Sequence, residues 1–449
     1  MNTEHLFITD NLPTKEAQSR YQKRRQELAK KVSGIIIVEG IKKLPNTNYP
    51  WILTHYPHPQ NPFFLFYTGI MQCDATLIID STNHNKIKEI LFLPNKNKEK
   101  EFWEGPVLAY DENTSQVQQQ VGIETIKNQD EKDKYLNLLI KNHKKIYCIY
   151  DDNIKESNQE LTKQLRSKIK KENSTCKIIN IDKIHATQRL VLDQTDIKNI
   201  KIAQKKTTLA YLETLKQIKY CQKENEVQAI LDSQLLKQSW QGNSFPSIIA
   251  SGKNATTLHY NTNNDVLKKN DLLLFDFGLR YQSICTDISR TIPINGSFNP
   301  LQKIIYEIVL KTQQFVESLV KEGITIEWLN KQCWTHLNQL LDQEIIQKKG
   351  TIQTHYQFNP HFVSHLMGHQ VHDGDLNRKY THTPLKENMF ISNEPGFYGT
   401  ISVTINNQFY KETLGIRIED NLLITKKGCI NLSKKIPKSV SDLENFLKK

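Results

Sequence analysis

The stretch Leu272-Leu273-Leu274-Phe275-Asp276-Phe277-Gly278 places one acidic side chain inside a run that is otherwise apolar. Consecutive apolar residues leave no alternating solvent face, so this run predicts a strand that is buried on both sides. A carboxylate buried without a partner costs several kcal/mol. Asp276 therefore requires a compensating charge or hydrogen-bond donor inside the protein.

Three further acids and one histidine occupy comparable settings downstream. They are Asp287 in Thr286-Asp287-Ile288, His365 in Ser364-His365-Leu366, Glu394 in Asn393-Glu394-Pro395, and Glu419 in Ile418-Glu419-Asp420. Two divalent cations would balance the charge of four carboxylates. The set predicts a hydrolytic site with two metal ions, and the candidate ligands are Asp276, Asp287, His365, Glu394 and Glu419.

The spacing of these acids predicts how they meet. Asp276 and Asp287 lie eleven positions apart around a polar segment, so a hairpin would bring both to one side of neighbouring strands. An ordinary hairpin with exposed acids is the alternative.

Arg417 and Glu419 share one face of a strand, and Arg417 is expected to hold the Glu419 carboxylate in position. The alternative is a surface ion pair, which would contribute little.

Histidines accompany the acids. His361 and His365 form an HxxxH pair, but Phe362 stands where the zinc-protease motif has glutamate, so this pair alone is a weak signal. His259 and His372 lie in nearby segments. Histidines that are not ligands can stabilise a tetrahedral intermediate or pass a proton to the leaving nitrogen.

Two more histidines, His369 and His382, are assigned no role and are expected at the surface. One nitrogen donor and several oxygen donors suit Mn²⁺, Fe²⁺, Co²⁺ or Zn²⁺. Two such ions, roughly 3.5–4 Å apart, would hold a bridging hydroxide as the nucleophile.

Composition excludes several classes of protein. The 449 residues exceed one ordinary core, so two domains are expected. The net charge of +12 comes from lysines spread along the chain without interleaved aromatic residues, so no nucleic-acid partner is expected. No run of ~20 apolar residues predicts a membrane helix. Residues 1–5 contain no apolar leader and the seven cysteines are scattered, which favours a reducing cytoplasm.

The chain has two regions. Residues 1–188 alternate short apolar runs with polar helical stretches, which predicts an α/β domain with strands near 34–38, 75–79, 90–93 and 145–150. Residues 189–449 predict helices near 195–219 and 227–235, one from Pro300 to Gly323 capped by Asn299, and one near 326–346. Strands follow each pair of helices, so this region is expected to contain two similar halves.

The order of these segments resembles that of the pita-bread metallopeptidases, most closely their aminopeptidase P (Xaa-Pro aminopeptidase) branch. The matching segments are Ser251-Gly-Lys-Asn-Ala-Thr-Thr-Leu-His259-Tyr260, the Asp276 strand, Thr286-Asp287-Ile-Ser-Arg-Thr291, His361-x3-His365-x6-His372-Asp373, Glu394-Pro395-Gly396-Phe397-Tyr398 and Gly415-Ile-Arg-Ile-Glu419-Asp420. Asn61-Pro-Phe-Phe-Leu-Phe-Tyr-Thr-Gly69 resembles the creatinase-like domain that precedes the catalytic domain in this family.

The resemblance implies an α+β protein, with a creatinase-like N-terminal α/β domain at 1–188 and a pita-bread domain of two pseudo-symmetric halves at 189–449. It implies that Asp276 chelates one Mn²⁺ ion, that Asp287 and Glu419 bridge two, and that His365 and Glu394 complete the second. Glu394 would also take a proton from water.

The same resemblance implies that His259, His361 and His372 contact the substrate, a peptide with proline in second position. It also implies a homodimer or homotetramer.

One departure from the family bears on the substrate. The family usually has glycine after the histidine that corresponds to His361, whereas this chain has Phe362, which could narrow the pocket. Prolidase, which cuts only Xaa-Pro dipeptides on the same scaffold, remains the alternative. Methionine aminopeptidase fits less well because a long region precedes the catalytic part, and creatinase because it works without metal. A non-catalytic pita-bread protein would typically have lost ligands.

Overall fold

The structure is a computed structural model that describes residues 6–7, 14–42, 60–151 and 160–448. Residues 1–5, where the sequence predicts no leader, lie outside the described residues. The chain divides into two compact units, Met1–Arg189 with Asp375–Asn377, and Leu190–Gly374 with Arg378–Lys449. The domain boundary after residue 188 remains a prediction.

The first unit contains a mixed sheet in the order β4-β3-β2-β1-β5-β6. Its strands are β1 Ile35–Glu39, β2 Thr76–Asp80, β3 Lys88–Leu93, β4 Thr125–Asn128, β5 Lys145–Cys148 and β6 Lys177–Asn180. Along β1, Ile36 and Val38 pack in one apolar cluster, whereas Ile35 and Ile37 pack in another. A strand that alternates between two buried faces needs a continuous apolar run, which is why this sheet is visible in the sequence.

Helices cover both faces of that sheet. They are α1 Thr14–Ala29, α2 Pro62–Thr68, α3 Lys98–Glu104, α4 Tyr110–Val121, α5 Lys132–Asn142, α6 Glu160–Glu172 and α7 Asp182–Arg189. Val117 of α4 packs on one face and Leu136 of α5 on the other. This arrangement confirms the predicted α/β class of the N-terminal region.

The second unit repeats the order helix, helix, strands, as predicted. Its helices are α8 Gln194–Leu215, α9 Glu224–Gln238, α10 Pro300–Leu319, α11 Ile326–Leu341 and α12 Val440–Leu447. Its strands are β7 Ile248–Ser251, β8 Leu272–Phe277, β9 Arg280–Tyr281, β10 Ile284–Cys285, β11 Ile288–Pro293, β12 Thr351–Thr354, β13 Leu366–Met367, β14 Phe390–Asn393, β15 Gly396–Ile405, β16 Gln408–Arg417, β17 Asp420–Thr425 and β18 Gly428–Asn431.

The strands form separate small sheets, ordered β11-β8-β7, β10-β9, β12-β15-β16 and β13-β14-β17-β18. One apolar cluster joins both halves, since it contains Leu231 of α9, Phe275 of β8, Val309 of α10 and Ile391 of β14. The α+β class with two αβ halves is therefore confirmed. Among the described residues, no helix combines the length and apolarity needed to cross a bilayer.

Helix α10 begins where the sequence predicts and ends earlier. Asn299 Oδ1 accepts a hydrogen bond from the Gln302 amide at 2.9 Å, and Gln302 Oε1 accepts one from the Asn299 amide at 3.1 Å. This reciprocal capping box explains the sharp start at Pro300. The helix ends at Leu319 because Val320 is already extended, and Gly323, the predicted end, lies in the following turn with φ of +93°.

Candidate metal centre

The five predicted ligands all lie at strand ends. Asp276 is next to last in β8, Asp287 directly precedes β11, His365 directly precedes β13, Glu394 follows β14, and Glu419 lies between β16 and β17. All but Glu394, which is partly exposed, are buried. Strands therefore deliver these side chains from three different sheets to one place.

The hairpin between Asp276 and Asp287 forms as predicted. Strands β9 and β10 pair across Gln282 and Ser283, whose φ values of +49° and +60° are those of a tight hairpin turn. After the hairpin, β11 pairs with β8, and Ser289 lies opposite Asp276. Burial, followed by the neighbouring Asp276, raises the pKa of Asp287 well above its ordinary value. The alternative of exposed acids is thus excluded.

Arg417 makes a buried ion pair, but its partner differs from the prediction. Its Nη2 lies 2.7 Å from Asp276 Oδ2, whereas the sequence spacing predicted a direct contact with Glu419. Arg417 Nε donates to Ser289 Oγ at 2.7 Å, and Ser289 Oγ donates to Glu419 Oε2 at 2.9 Å. Arg417 therefore reaches Glu419 through a serine that sequence reasoning missed. The surface ion pair is ruled out because both side chains are buried.

His365 lies among the acids. Its Nε2 is 3.6 Å from Asp287 Oδ2 and 3.4 Å from Glu394 Oε1. Ligand atoms of Asp287, His365 and Glu419 all lie within 4.8 Å of one another. Backbone contacts fix these positions: the Glu419 amide donates to Ser289 O at 3.0 Å, and the Glu394 amide donates to Val363 O at 2.9 Å.

Three buried carboxylate oxygens at this centre have no donor. Among the described residues, Asp276 Oδ1, Asp287 Oδ1 and Glu419 Oε1 accept no hydrogen bond. A buried anionic oxygen without a donor is costly. Divalent cations satisfy such oxygens directly, so the residues present fit a metal site.

The raised pKa values of the acids at this centre also fit a metal site. Burial, followed by Asp287, raises the pKa of Glu419 well above its ordinary value. Burial also raises the pKa of Glu394 to about 7 against the opposing effect of His365. Acids this close resist simultaneous ionisation, and cations would remove that resistance.

His361 is held as a neutral imidazole. Its Nδ1 donates to Phe362 O at 2.9 Å, and its Nε2 accepts from Tyr398 OH at 3.0 Å. Tyr398 OH in turn accepts from Arg417 Nη1 at 3.1 Å. Burial, with Arg417 among the further causes, lowers the pKa of His361 to about 3. Tyr398 ends the Glu394-Pro395-Gly396-Phe397-Tyr398 segment, but nothing in the sequence indicated its contacts.

Two of the remaining histidines, His372 and His259, lie near His365 and His361. The His372 ring lies 4.4 Å from the His365 ring, centroid to centroid, and His372 is exposed. Burial, followed by His365, lowers the pKa of His372 to about 3. His259 is exposed and lies close enough for its charge to lower the pKa of both His361 and His372.

His369 contradicts its predicted surface location. It is buried, its Nδ1 lies 2.9 Å from Ser283 Oγ, and its Nε2 lies 3.5 Å from Asp196 Oδ2. The surface assignment was wrong because tertiary partners from distant segments satisfy this ring. His382 is exposed beside Glu327, as predicted. The Phe362 side chain is 46% exposed, so it does not fill the interior of the centre.

Comparisons with known proteins identify the family of this chain. Residues 198–426 match the model of metallopeptidase family M24, and residues 21–147 match that of the aminopeptidase P N-terminal domain. The chain is 28% identical to rat Xaa-Pro aminopeptidase 3, over 87% of this chain and 77% of the relative. It is 27% identical to Xaa-Pro aminopeptidase of Haemophilus influenzae, over 92% and 93%.

Solved structures share the fold. A Bacillus anthracis structure described as an aminopeptidase P superposes with a TM-score of 0.82 at 26% identity, covering 96% of this chain and 98% of that one. Escherichia coli aminopeptidase P with the inhibitor Pro-Leu superposes with a TM-score of 0.80 at 22% identity, with the same coverage. The chain belongs to metallopeptidase family M24, and its N-terminal region is that of the aminopeptidase P branch.

Proposed function

We propose that this protein is a metal-dependent exopeptidase that removes the N-terminal residue from peptides with proline in second position. The observation that carries the proposal is the set of buried, donor-free carboxylate oxygens of Asp276, Asp287 and Glu419. Both family matches and the Xaa-Pro aminopeptidase relatives support this specificity over that of prolidase. The ligands alone would fit either enzyme.

Asp276, Asp287, His365, Glu394 and Glu419 would hold two divalent ions. Mn²⁺ is our proposal, because hard oxygen donors with one imidazole suit it. Such ions, when bound, supply Lewis acidity and make water nucleophilic at neutral pH. In this arrangement Arg417 keeps Asp276 oriented through the 2.7 Å ion pair.

Glu394 is the proposed proton acceptor. Its carboxylate is partly exposed, and its Oε1 lies 3.4 Å from His365 Nε2, so it borders the site that would contain the attacking water. A carboxylate in this position can accept a proton from water and return it to a leaving group. It would take the proton of water and pass it to the leaving proline nitrogen.

Neutral histidines surround the expected position of the scissile bond. His361 and His372 have pKa values of about 3, so both are uncharged at neutral pH. The neutral imidazole of His372 can donate one hydrogen bond to developing negative charge without competing with the cations for the acids. The N–H of His361 already donates to Phe362 O, so His361 would contribute by contact with the substrate. His259, His361 and His372 would orient the carbonyl of the first residue and the proline ring. The free amino terminus of the substrate would lie near Asp276.

The proposal also covers the cellular location and the oligomeric state of the enzyme. We propose a cytoplasmic location, supported by seven cysteines that are all free thiols in the structure. We also propose a homodimer or homotetramer, which rests on the resemblance to the family. Neither nucleic acid nor a membrane is an expected partner.

The decisive assay compares two peptides of matched length, which differ only in the second residue, with a dipeptide. A Xaa-Pro-Yaa peptide should release its first residue in the presence of Mn²⁺, whereas Xaa-Ala-Yaa should be cut far more slowly. A Xaa-Pro dipeptide measures prolidase activity. Cleavage confined to the dipeptide would establish the prolidase alternative, and no cleavage of any peptide with any divalent ion would refute the peptidase proposal.

A further inference from the structure

Glu224, the first residue of α9, is a fully buried carboxylate at which five hydrogen bonds converge. Oε1 accepts from the Ser251 amide at 2.7 Å, from Ser251 Oγ at 2.8 Å and from Asn254 Nδ2 at 3.1 Å. Oε2 accepts from Tyr260 OH at 2.8 Å and from the Asp265 amide at 2.9 Å. The Glu224 amide also donates to Asp265 O at 3.0 Å.

These partners all belong to one loop. Residues 251–265 leave β7, form a short 3-10 turn at Gly252–Thr256 and contain His259. Glu224 therefore binds the start, the middle and the end of the loop from a different element. The buried donors would be costly to leave without an acceptor, so the carboxylate determines the loop conformation.

His259 depends on this loop for its position. Within the described part of the chain, the His259 ring forms no hydrogen bond, and the residue is exposed. Its neighbour Tyr260 is tied directly to Glu224. A side chain that forms no hydrogen bond of its own is positioned mainly by its backbone.

We infer that Glu224 is a positioning residue, whose carboxylate holds the 251–265 loop so that His259 stays beside His361 and His372. This inference rests on the proposed peptidase function. An acid in the first helical turn also interacts favourably with the helix dipole. That interaction does not explain Glu224, because its oxygens bind donors of the loop and none within α9.

Glu224→Gln tests the inference with a minimal change in volume. The glutamine side chain has one acceptor oxygen instead of two, and its NH₂ group would face the donors that now bind the other oxygen. The loop donors on at least one side would therefore lose their acceptor. We expect kcat to fall about 10- to 100-fold, because small displacements of a catalytic group have effects of that order. Metal content should not change, since none of the ligands contacts Glu224.

Glu226→Gln is the matched control. Glu226 lies in the same helical turn and its Oε2 accepts from the Gln222 amide at 2.7 Å, but it is exposed and does not contact the loop. Its kcat should stay within about twofold of the wild type. Equal losses in Glu224→Gln and Glu226→Gln would overturn the inference, because a general helix-start effect would then explain both.

A double-mutant cycle separates positioning from stability. In a His259→Ala background, Glu224→Gln should reduce kcat by less than about threefold, because the group that it positions is already absent. The same 10- to 100-fold loss in both backgrounds would show that Glu224 does not act through His259. If Glu224→Gln does not fold, Tyr260→Phe removes one donor and should give a smaller, equally non-additive loss.

Amide hydrogen exchange gives a readout that is independent of activity. The Ser251 and Asp265 amides should exchange faster in Glu224→Gln than in Glu226→Gln. If the wild type cleaves no peptide, the proposed function fails, and this exchange alone then decides whether Glu224 orders the loop. Equal exchange in the two variants would overturn the anchoring itself.

Discussion

Removal of the metal should make stability fall as pH rises, in contrast to the metal-loaded protein. The reason is the cluster of acids whose pKa values are raised in the folded state, namely Asp287, Glu394 and Glu419. A raised folded-state pKa means that the folded protein binds a proton that the unfolded chain has released. The associated stability is present below the unfolded pKa and is lost as pH rises through the folded one.

Glu394 shows how large the contribution of one such acid is. Its pKa rises from an ordinary 4.5 to about 7. Between these values the folded protein holds one extra proton, so the free energy of unfolding falls by about 1.4 kcal/mol per pH unit. Over this window the loss is roughly 3 kcal/mol. Asp287 and Glu419 act in the same direction. His361 and His372 act in the opposite direction below pH 6.5, because burial lowers their pKa values from an ordinary 6.5 to about 3. The loss of stability should therefore be clearest above pH 6.5, where the histidines no longer contribute.

The assay is urea denaturation at several pH values between 5 and 8, with EDTA in one series and Mn²⁺ in the other. The metal-free protein should lose stability most clearly in the upper part of this range, above pH 6.5, where His361 and His372 are neutral in both the folded and the unfolded chain. With Mn²⁺ the acids remain ionised as ligands, so the metal-dependent gain in stability should increase with pH. Below pH 7, Glu394→Gln should change the slope of stability against pH in the metal-free series by the equivalent of one bound proton, about 1.4 kcal/mol per pH unit. A metal-free series whose stability does not fall above pH 6.5 would refute the electrostatic reasoning.

Other changes give distinct outcomes. Asp287→Asn should reduce bound metal to one ion or fewer and abolish cleavage, because a bridging carboxylate becomes a neutral amide; elemental analysis showing two retained ions would contradict this. Arg417→Met should destabilise the metal-free protein by about 3 kcal/mol, since Asp276 loses its buried partner, and destabilise it less with Mn²⁺ present, as measured by urea denaturation. Asp420→Asn should cost about 3–5 kcal/mol near neutral pH, because Arg290, 2.6 Å away, would be left as an unpaired buried charge. Burial would raise the pKa of Asp420, but Arg290 and Lys438 outweigh this effect and lower the pKa to about 2. The stability that the Asp420 ion pairs contribute should therefore persist until the pH falls below about 4. Loss of this stability at higher pH would contradict the ion pairing.

The sequence predicted those parts of the fold in which burial leaves a continuous pattern. The run Leu272–Phe277 is buried along its whole length, as its apolar composition indicated. The start of α10 followed from Asn299 and Pro300, because capping depends only on neighbouring residues. Its end did not follow from Gly323, because the turn there is set by the contact of the Gly323 amide with Leu385 O, 62 positions downstream.

The candidate site was predictable as a list of residues but not as a set of contacts. An acid within or directly beside apolar residues can be recognised from the sequence as a candidate buried ligand, as Asp276 and Glu419 were. The partner of Arg417 depends on which strand lies beside β16, and periodicity within one strand cannot show this. The burial of His369 likewise depends on Ser283 and Asp196, which come from distant segments.

The most direct test of the central claim is a crystal structure of the Mn²⁺-loaded protein, measured with anomalous scattering at the manganese edge. We predict two anomalous peaks, roughly 3.5–4 Å apart. They should be bound by Asp276, Asp287, His365, Glu394 and Glu419. No peak at these side chains under saturating Mn²⁺ would contradict the account.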